Sequence, residues 1–311
     1  MEAVFTVLNK LMIIFFLILI GYGCRKKKIV DDSFMEGIAG FLTRIIIPCF
    51  VISSLQIDYT PELFRDGATV FIVCVIMHFW GLVVGWLSFR FLKVPQKAKG
   101  IWIFSCMFAN IGFMGVPVIS MIFGGNSVFY CAFASFAFNI TAYTLGVVVL
   151  DKCTENSDSS KVNMKQLLKA PVNVATVVGI LLFVMNVRLP EPMKDTVDMV
   201  GGMLSPLAMI YIGGILGKFD FKETVTEKWA YAVSFFRLIF MPLSSYFMLK
   251  PFIHDKLILG VIVVGLSTPI GAFCAILAAE FGADEELASK YIFVTTLLCI
   301  FTMPVFFMLF L

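Results

Sequence analysis

Apolar residues come in ten long runs along this chain, separated by short polar or glycine-rich stretches. The runs cover residues 4–24, 35–56, 67–91, 98–123, 127–150, 170–187, 195–217, 228–249, 257–281 and 287–310. Each holds about 18 to 25 residues, the length at which a helix rising about 1.5 Å per residue crosses a hydrocarbon layer about 30 Å thick. The pattern predicts an all-α polytopic membrane protein with ten transmembrane helices.

Two runs are interrupted at matching places. The fourth contains Asn110-Ile111-Gly112-Phe113-Met114-Gly115-Val116-Pro117 and the ninth contains Ser267-Thr268-Pro269-Ile270-Gly271. Proline removes a backbone donor and clashes with the carbonyl one turn earlier, and glycine makes unwinding cheap. A second half-helix is expected to start near Gly115–Pro117, with Pro117 in its first turn, and the ninth run is expected to restart near Pro269. Restarting N-termini carry unpaired N–H groups and a partial positive charge. Two of them facing each other at the bilayer midplane make an anion site, the arrangement that marks a transporter. Asn110, Ser267 and Thr268 add polar side chains beside Gly112, Gly115, Pro117, Pro269 and Gly271. A plain proline kink in two packed helices is the alternative.

Ionisable residues inside the runs sharpen the picture. Arg237 lies about nine residues into the eighth run, Arg44 at similar depth in the second, and His78 midway along the third. An arginine at such depth faces the protein interior, or snorkels to the surface from near a helix end. Arg237 is expected at the substrate site; Arg44 has both readings, and His78 is either a packing residue or a proton carrier. No Asp or Glu falls at mid-depth in any run, while Asp151 and Glu280 sit near run ends. That speaks against a pathway built on buried carboxylates and for an anionic substrate. A coupling Na+ or H+ is left open: Asn139, Thr141 and Thr144 on the fifth run, and Thr295, Thr296 and Thr302 on the tenth, offer hydroxyl and amide groups, and Asn139, Thr141, Thr296 and His78 are the expected polar lining.

The chain also repeats. Shifted by 158 residues, without a gap, Gly21 meets Gly179, Pro48 meets Pro206, Gly124-Gly125-Asn126 meets Gly282-Ala283-Asp284, Thr144 meets Thr302, and Asn110-Ile111 meets Thr268-Pro269. Five runs precede the join, so the copies enter the membrane from opposite sides: a 5+5 inverted repeat, 1–150 and 170–311, joined by a charged linker at 151–169.

Composition agrees: of 311 residues, 60% are hydrophobic and only 14% charged, too little polar surface for a soluble domain. Alternate loops are rich in Lys and Arg: residues 25–28; Arg90, Lys93, Lys97 and Lys99; Lys152, Lys161, Lys165 and Lys169; Lys218, Lys222 and Lys228. This bias places those loops in the cytoplasm and both termini outside. The basic cluster at 25–28 follows the first run rather than preceding it, so no cleavable signal peptide is expected. The eight cysteines form no CxxC pair and only His78 and His254 could join them, so they read as packing residues rather than metal ligands. No nucleophile–base pair or phosphate loop appears, so no enzyme, cofactor or nucleic-acid partner is expected.

Taken together, the proline-centred second run (Arg44-Ile45-Ile46-Ile47-Pro48), the segment Asn110 to Pro117, and Pro269-Ile270-Gly271-Ala272 resemble the auxin efflux carrier family over essentially the whole chain. The resemblance implies a fold shared with bile-acid symporters, in which the two broken helices cross. It implies a scaffold of spans 1, 2, 6 and 7, through which a homodimer forms, and a transport part of spans 3–5 and 8–10. It also implies a secondary transporter in the cell (inner) membrane moving a small organic anion, a carboxylate such as malate or malonate, or an auxin-like acid. The large cytoplasmic loop of the plant auxin exporters is absent here. Ser267-Thr268 stand where symmetry with Asn110 would put a second asparagine. A sodium-coupled symporter of an amphipathic acid, and a channel or membrane-embedded sensor, are the competing readings.

Overall fold

Each apolar run is helical over most of its described length, and the runs end where polar or proline residues make ending cheap. The computed structural model describes residues 2–124, 127–151, 170–218, 224, 226–271, 273–280 and 283–308. The linker expected at 151–169 lies, beyond Asp151, outside them, as do Gly125, Asn126, Lys222 and Gly282. In order, the helices are α1 (Glu2–Lys26), α2 (Asp32–Phe41), α3 (Ile47–Ser54), α4 (Pro61–Leu92), α5 (Lys99–Met107), α6 (Val116–Phe123), α7 (Ser127–Thr141) and α8 (Val147–Asp151). There follow α9 (Pro171–Val184), α10 (Glu191–Gly202), α11 (Leu204–Lys218), α12 (Lys228–Phe235), α13 (Met241–Leu249), α14 (Lys256–Leu266), α15 (Phe273–Glu280) and α16 (Glu285–Met308). Among the described residues there is no strand; Ala109 and Ile270 form a single antiparallel bridge. Among the described residues, six continuous helical stretches are long and apolar enough to cross a membrane, and three further helices are apolar but shorter. The protein is a multi-pass, all-helical membrane protein.

Among the described residues, four π-helical turns punctuate the long helices: Leu42–Ile46, Ile111–Gly115, Ala142–Gly146 and Phe236–Phe240. Three of them are followed by a helix with proline in its first turn: Pro48 in α3, Pro117 in α6 and Pro242 in α13. The physical reason is steric. A π turn bonds i to i+5, which moves the clashing carbonyl away from the pyrrolidine ring and absorbs the missing donor without ending the helix.

The chain folds into two compact units, and the division falls inside α4 and α7. The first comprises Met1–Phe71, Gly112–Phe136 and Met164–Phe219. Its centre is the crossing of α1 with α11. A Cβ on Gly21 would overlap the Ile210 carbonyl, and one on Gly213 would overlap the Ile18 carbonyl. One turn on, a Cβ on Gly217 would sit 3.1 Å from the Tyr22 carbonyl oxygen. Gly213 and Gly217 thus form a small-xxx-small face that lets two backbones touch, the device that substitutes for hydrophobic drive between helices in lipid. Against α3 pack α9 and α10; Ser53 Oγ donates to the Asp198 carboxylate at 2.5 Å, and Lys194 Nζ approaches the same carboxylate at 2.6 Å.

The second unit comprises Ile72–Ile111, Ala137–Asn163 and Asp220–Leu311. Its α4 portion is inside-out relative to a soluble helix. Ile72, Ile76, Phe79, Val83 and Trp86 are exposed at helical spacing, while Cys74, Met77, His78, Val84 and Ser88 are buried. The polar groups therefore face the protein and the apolar stripe faces lipid. The segment containing α12 and α13 repeats this arrangement: Phe235, Ile239, Leu243 and Phe247 point outward, Ser234, Arg237 and Ser245 inward.

The α1–α11 approach yields a direct test. Gly213→Leu should cost about 1–3 kcal/mol through forced separation of two backbones, read as a lower melting temperature of the detergent-purified protein. Gly23→Ala, at a position where a Cβ meets nothing within 4 Å, should leave it unchanged.

Candidate functional site: the crossing of two broken helices

Within the second unit, α5 and α14 both stop abruptly. At the end of α5, Phe108 leaves the helix in an extended conformation (φ −113°, ψ 113°). At the end of α14, Thr268 precedes Pro269, and a residue before proline is held out of the helical region. The two broken stretches pair. Asn110 N–H donates to the Pro269 carbonyl at 2.8 Å and Gly271 N–H donates to the Phe108 carbonyl at 3.2 Å, flanking the Ala109–Ile270 bridge. Ile270 N–H donates to Thr295 Oγ1 on α16 at 3.3 Å. A Cβ on Gly271 would lie 3.3 Å from the Ala109 carbonyl oxygen, so the approach leaves little room for a larger residue.

Arg237 sits beneath this crossing and is fully buried. Its Nη2 donates to the Leu266 carbonyl at 2.6 Å, Nη1 to the Cys106 carbonyl at 3.0 Å and Nε to the Thr268 carbonyl at 3.3 Å. These are the orphan carbonyls of two helix ends. Each C-terminus carries about half a negative charge, so one guanidinium balances two helices and satisfies three acceptors at once. Gly81 and Gly85 of α4 lie so close to α5 that a Cβ would come within 2.8 Å of the Cys106 oxygen and 3.0 Å of the Ile103 Cα.

His78 forms a second polar element of the same unit. Thr141 Oγ1 lies 2.7 Å from the Ala137 carbonyl oxygen and shares a hydrogen bond with His78 Nδ1 at 2.9 Å. The imidazole lies 5.1 Å from the Phe108 ring at the break and 6.3 Å from the Phe138 ring.

The structure thus brings together Asn110, Thr268, Pro269, Gly271 and Arg237, with His78 and Thr141 alongside. Several expectations need correction. In the fourth run the extended backbone falls at Phe108–Asn110, and the π turn Ile111–Gly115 joins it to α6, which starts at Val116 with Pro117 in its first turn, as expected. The ninth run restarts at Phe273, not near Pro269, which lies in the break itself. The amides of Ile270 and Gly271, in the stretch where the ninth run was expected to restart with open N–H groups, are spent on Thr295 Oγ1 and the Phe108 carbonyl. The Arg237 donors are likewise turned onto main-chain carbonyls. Ser267 and Thr268 direct their hydroxyls to Val264 and Gly265 carbonyls of their own helix, each at 2.8 Å. Thr296 does the same to Ile292 at 2.7 Å, and Asn139 is half-buried on α7. Gly112, Gly115 and Pro117 belong to the first unit, and so does Arg44, which is exposed in its π turn.

A family profile described as "Membrane transport protein" matches residues 6–307. The chain belongs to this family, the auxin efflux carriers. An uncharacterised transporter of Methanocaldococcus jannaschii is 23% identical over 297 residues, covering 93% of this chain and 94% of its own length. One from Methanothermobacter thermautotrophicus is 24% identical over 292 residues, covering 93% of each. The Escherichia coli transporter YfdV, also uncharacterised, is 20% identical over 250 residues, 76% of each chain.

In this member of the auxin efflux carriers, the acceptor role of Thr295 and the close approach of α4 to α5 go beyond what the apolar runs led one to expect. The second has a readable signal, Gly81-Leu82-Val83-Val84-Gly85, a small-xxx-small face in an apolar run. Thr295 has none, since it looks like any hydroxyl on a membrane helix. Thr295→Val should orphan the buried Ile270 N–H and cost about 1–3 kcal/mol, whereas Thr296→Val, which removes only a bond within its own helix, should cost about 1 kcal/mol or less. Melting temperatures of the two purified variants check the difference.

Proposed function

We propose that this membrane transport protein is a secondary carrier of a small organic anion, a carboxylate of the malate or malonate kind or an auxin-like acid. It moves its cargo across the cell membrane by alternating access. The observation that carries the reading is the charge at the crossing. Arg237 is fully buried there, and among the described residues no Asp or Glu is buried with it. Two helix C-termini cancel about one unit of positive charge, and the N-terminal ends restarting at Ile111 and Phe273 add about half a unit each. The crossing keeps a surplus of roughly one positive charge, which matches a carboxylate. Asn110, 6% exposed in the break, supplies an amide beside that surplus.

The broader frame is a 5+5 inverted repeat. Supporting it, the shift that superposes the two halves brings the two breaks nearly together. It also sets the π turn before Pro48 against the bend at Met203 before Pro206, and Gly146 against Pro304 inside α16. In this reading spans 1, 2, 6 and 7 form the scaffold and the dimer contact, and spans 3–5 and 8–10 form the moving part. The packing of α1 with α11 and of α3 with α9 and α10 inside one unit supports the first grouping. The Lys/Arg bias supports cytoplasmic odd-numbered loops, with both termini outside.

Asn110→Ala and Asn110→Asp, reconstituted in proteoliposomes, should lower carboxylate flux by about ten- to a hundredfold through loss of a hydrogen bond to a charged ligand. Asn110→Asp should be the more severe. Both should melt close to wild type. Wild-type flux in folded Asn110→Asp would remove the anion site from the crossing.

A further inference from the structure

Arg237 is placed as a bound cation would be. Its ligands are main-chain oxygens from two unwound helix ends, Cys106, Leu266 and Thr268, at 3.0, 2.6 and 3.3 Å. Carbonyls released at a helix break are the groups with which membrane carriers coordinate alkali ions. No carboxylate shares the guanidinium: among the described residues every ion pair involves other side chains, and no acid is buried. Nor can these acceptors relax toward other donors. The Cys106 carbonyl is hemmed in by Gly81, where even a methyl group would come within 2.8 Å of it. Thr268 is held by the turn before Pro269, and the neighbouring Ser267 carbonyl already accepts from Cys299 Sγ at 3.6 Å.

We propose that the α5–α14 crossing is a monovalent-cation site filled permanently by the tethered guanidinium of Arg237. The charge that holds the two helix ends together then comes from the chain itself, and the crossing takes no alkali ion from solution. Removal of the side chain opens the site to a free cation, guanidinium best because its planar donors match the oxygens, and Na+ less well. The inference concerns ion occupancy and not cargo. Its readout is melting of the purified protein, so it stands or falls separately from the transport reading.

The test compares wild type, Arg237→Ala, Arg237→Lys and Arg237→Met by thermal melting in choline chloride, with Na+ or low-millimolar guanidinium or ethylguanidinium added and urea as a control. Wild type should be indifferent to all additions. Arg237→Ala should melt well below wild type and regain several degrees with guanidinium or ethylguanidinium, as a ligand that binds only the folded state requires, but nothing with urea. Arg237→Lys, which keeps the charge and loses the fork, should fall between wild type and Arg237→Met. A folded Arg237→Ala that no cation stabilises overturns the proposal, and so does a wild type stabilised by Na+ over choline. Where Arg237→Ala is not recovered folded, the other two variants decide: Arg237→Met as stable as Arg237→Lys, or more so, shows that the site needs no cation.

Discussion

Every backbone N–H and C=O inside a membrane protein must find a partner within the protein, because lipid offers none. A helix stopped in mid-bilayer breaks that rule twice over, leaving carbonyls behind the break and amides beyond it. This chain stops two helices in that way and disposes of the released groups by three means. The broken stretches pair with each other through Asn110 and Gly271, Thr295 takes the amide of Ile270, and Arg237 takes the carbonyls of Cys106, Leu266 and Thr268. Much of the rest of the unit serves to hold those partners in place. The α4 glycines let the helix reach α5, and the π turn at Phe236–Phe240 forms the inward-facing segment that carries Arg237.

The helical runs, their ends to within a few residues, and the existence of two matched breaks were legible in the sequence, because length and apolar content are direct consequences of the lipid. The positions of the breaks were less so. Pro117 sits in a first helical turn, as expected, whereas Pro269, expected near the restart of the ninth run, sits in the break itself. The difference lies in the residues ahead of each proline. Ile111–Gly115 can widen to a π turn, whereas Thr268 follows the helix cap at Ser267 directly.

The role of Arg237 was half legible. Depth in an apolar run correctly placed it inside the protein. The direction of its donors could not be read, since the nearest acceptors lie 29 and 131 residues away in sequence. The same holds for Thr295, whose partner depends on where the ninth run unwinds. Expectations that rest on chemistry alone thus survived as locations and changed as contacts. A buried arginine that first looks like a ligand for cargo donates to the main-chain carbonyls of two helix ends.

The order in which Arg237 and its acceptors are made has a bearing on how the protein is built. Cys106 is synthesised long before Arg237, but Leu266 and Thr268 follow it by 29 and 31 residues. At about 5–20 residues per second, the ribosome takes roughly two to six seconds to supply them. During that interval a guanidinium that costs about 2.5–3.5 kcal/mol at mid-helix on insertion scales has at most one of its three carbonyls. The segment carrying it is therefore expected to linger at the insertion machinery until the following hairpin arrives, so that membrane entry of the C-terminal half proceeds as a group rather than helix by helix.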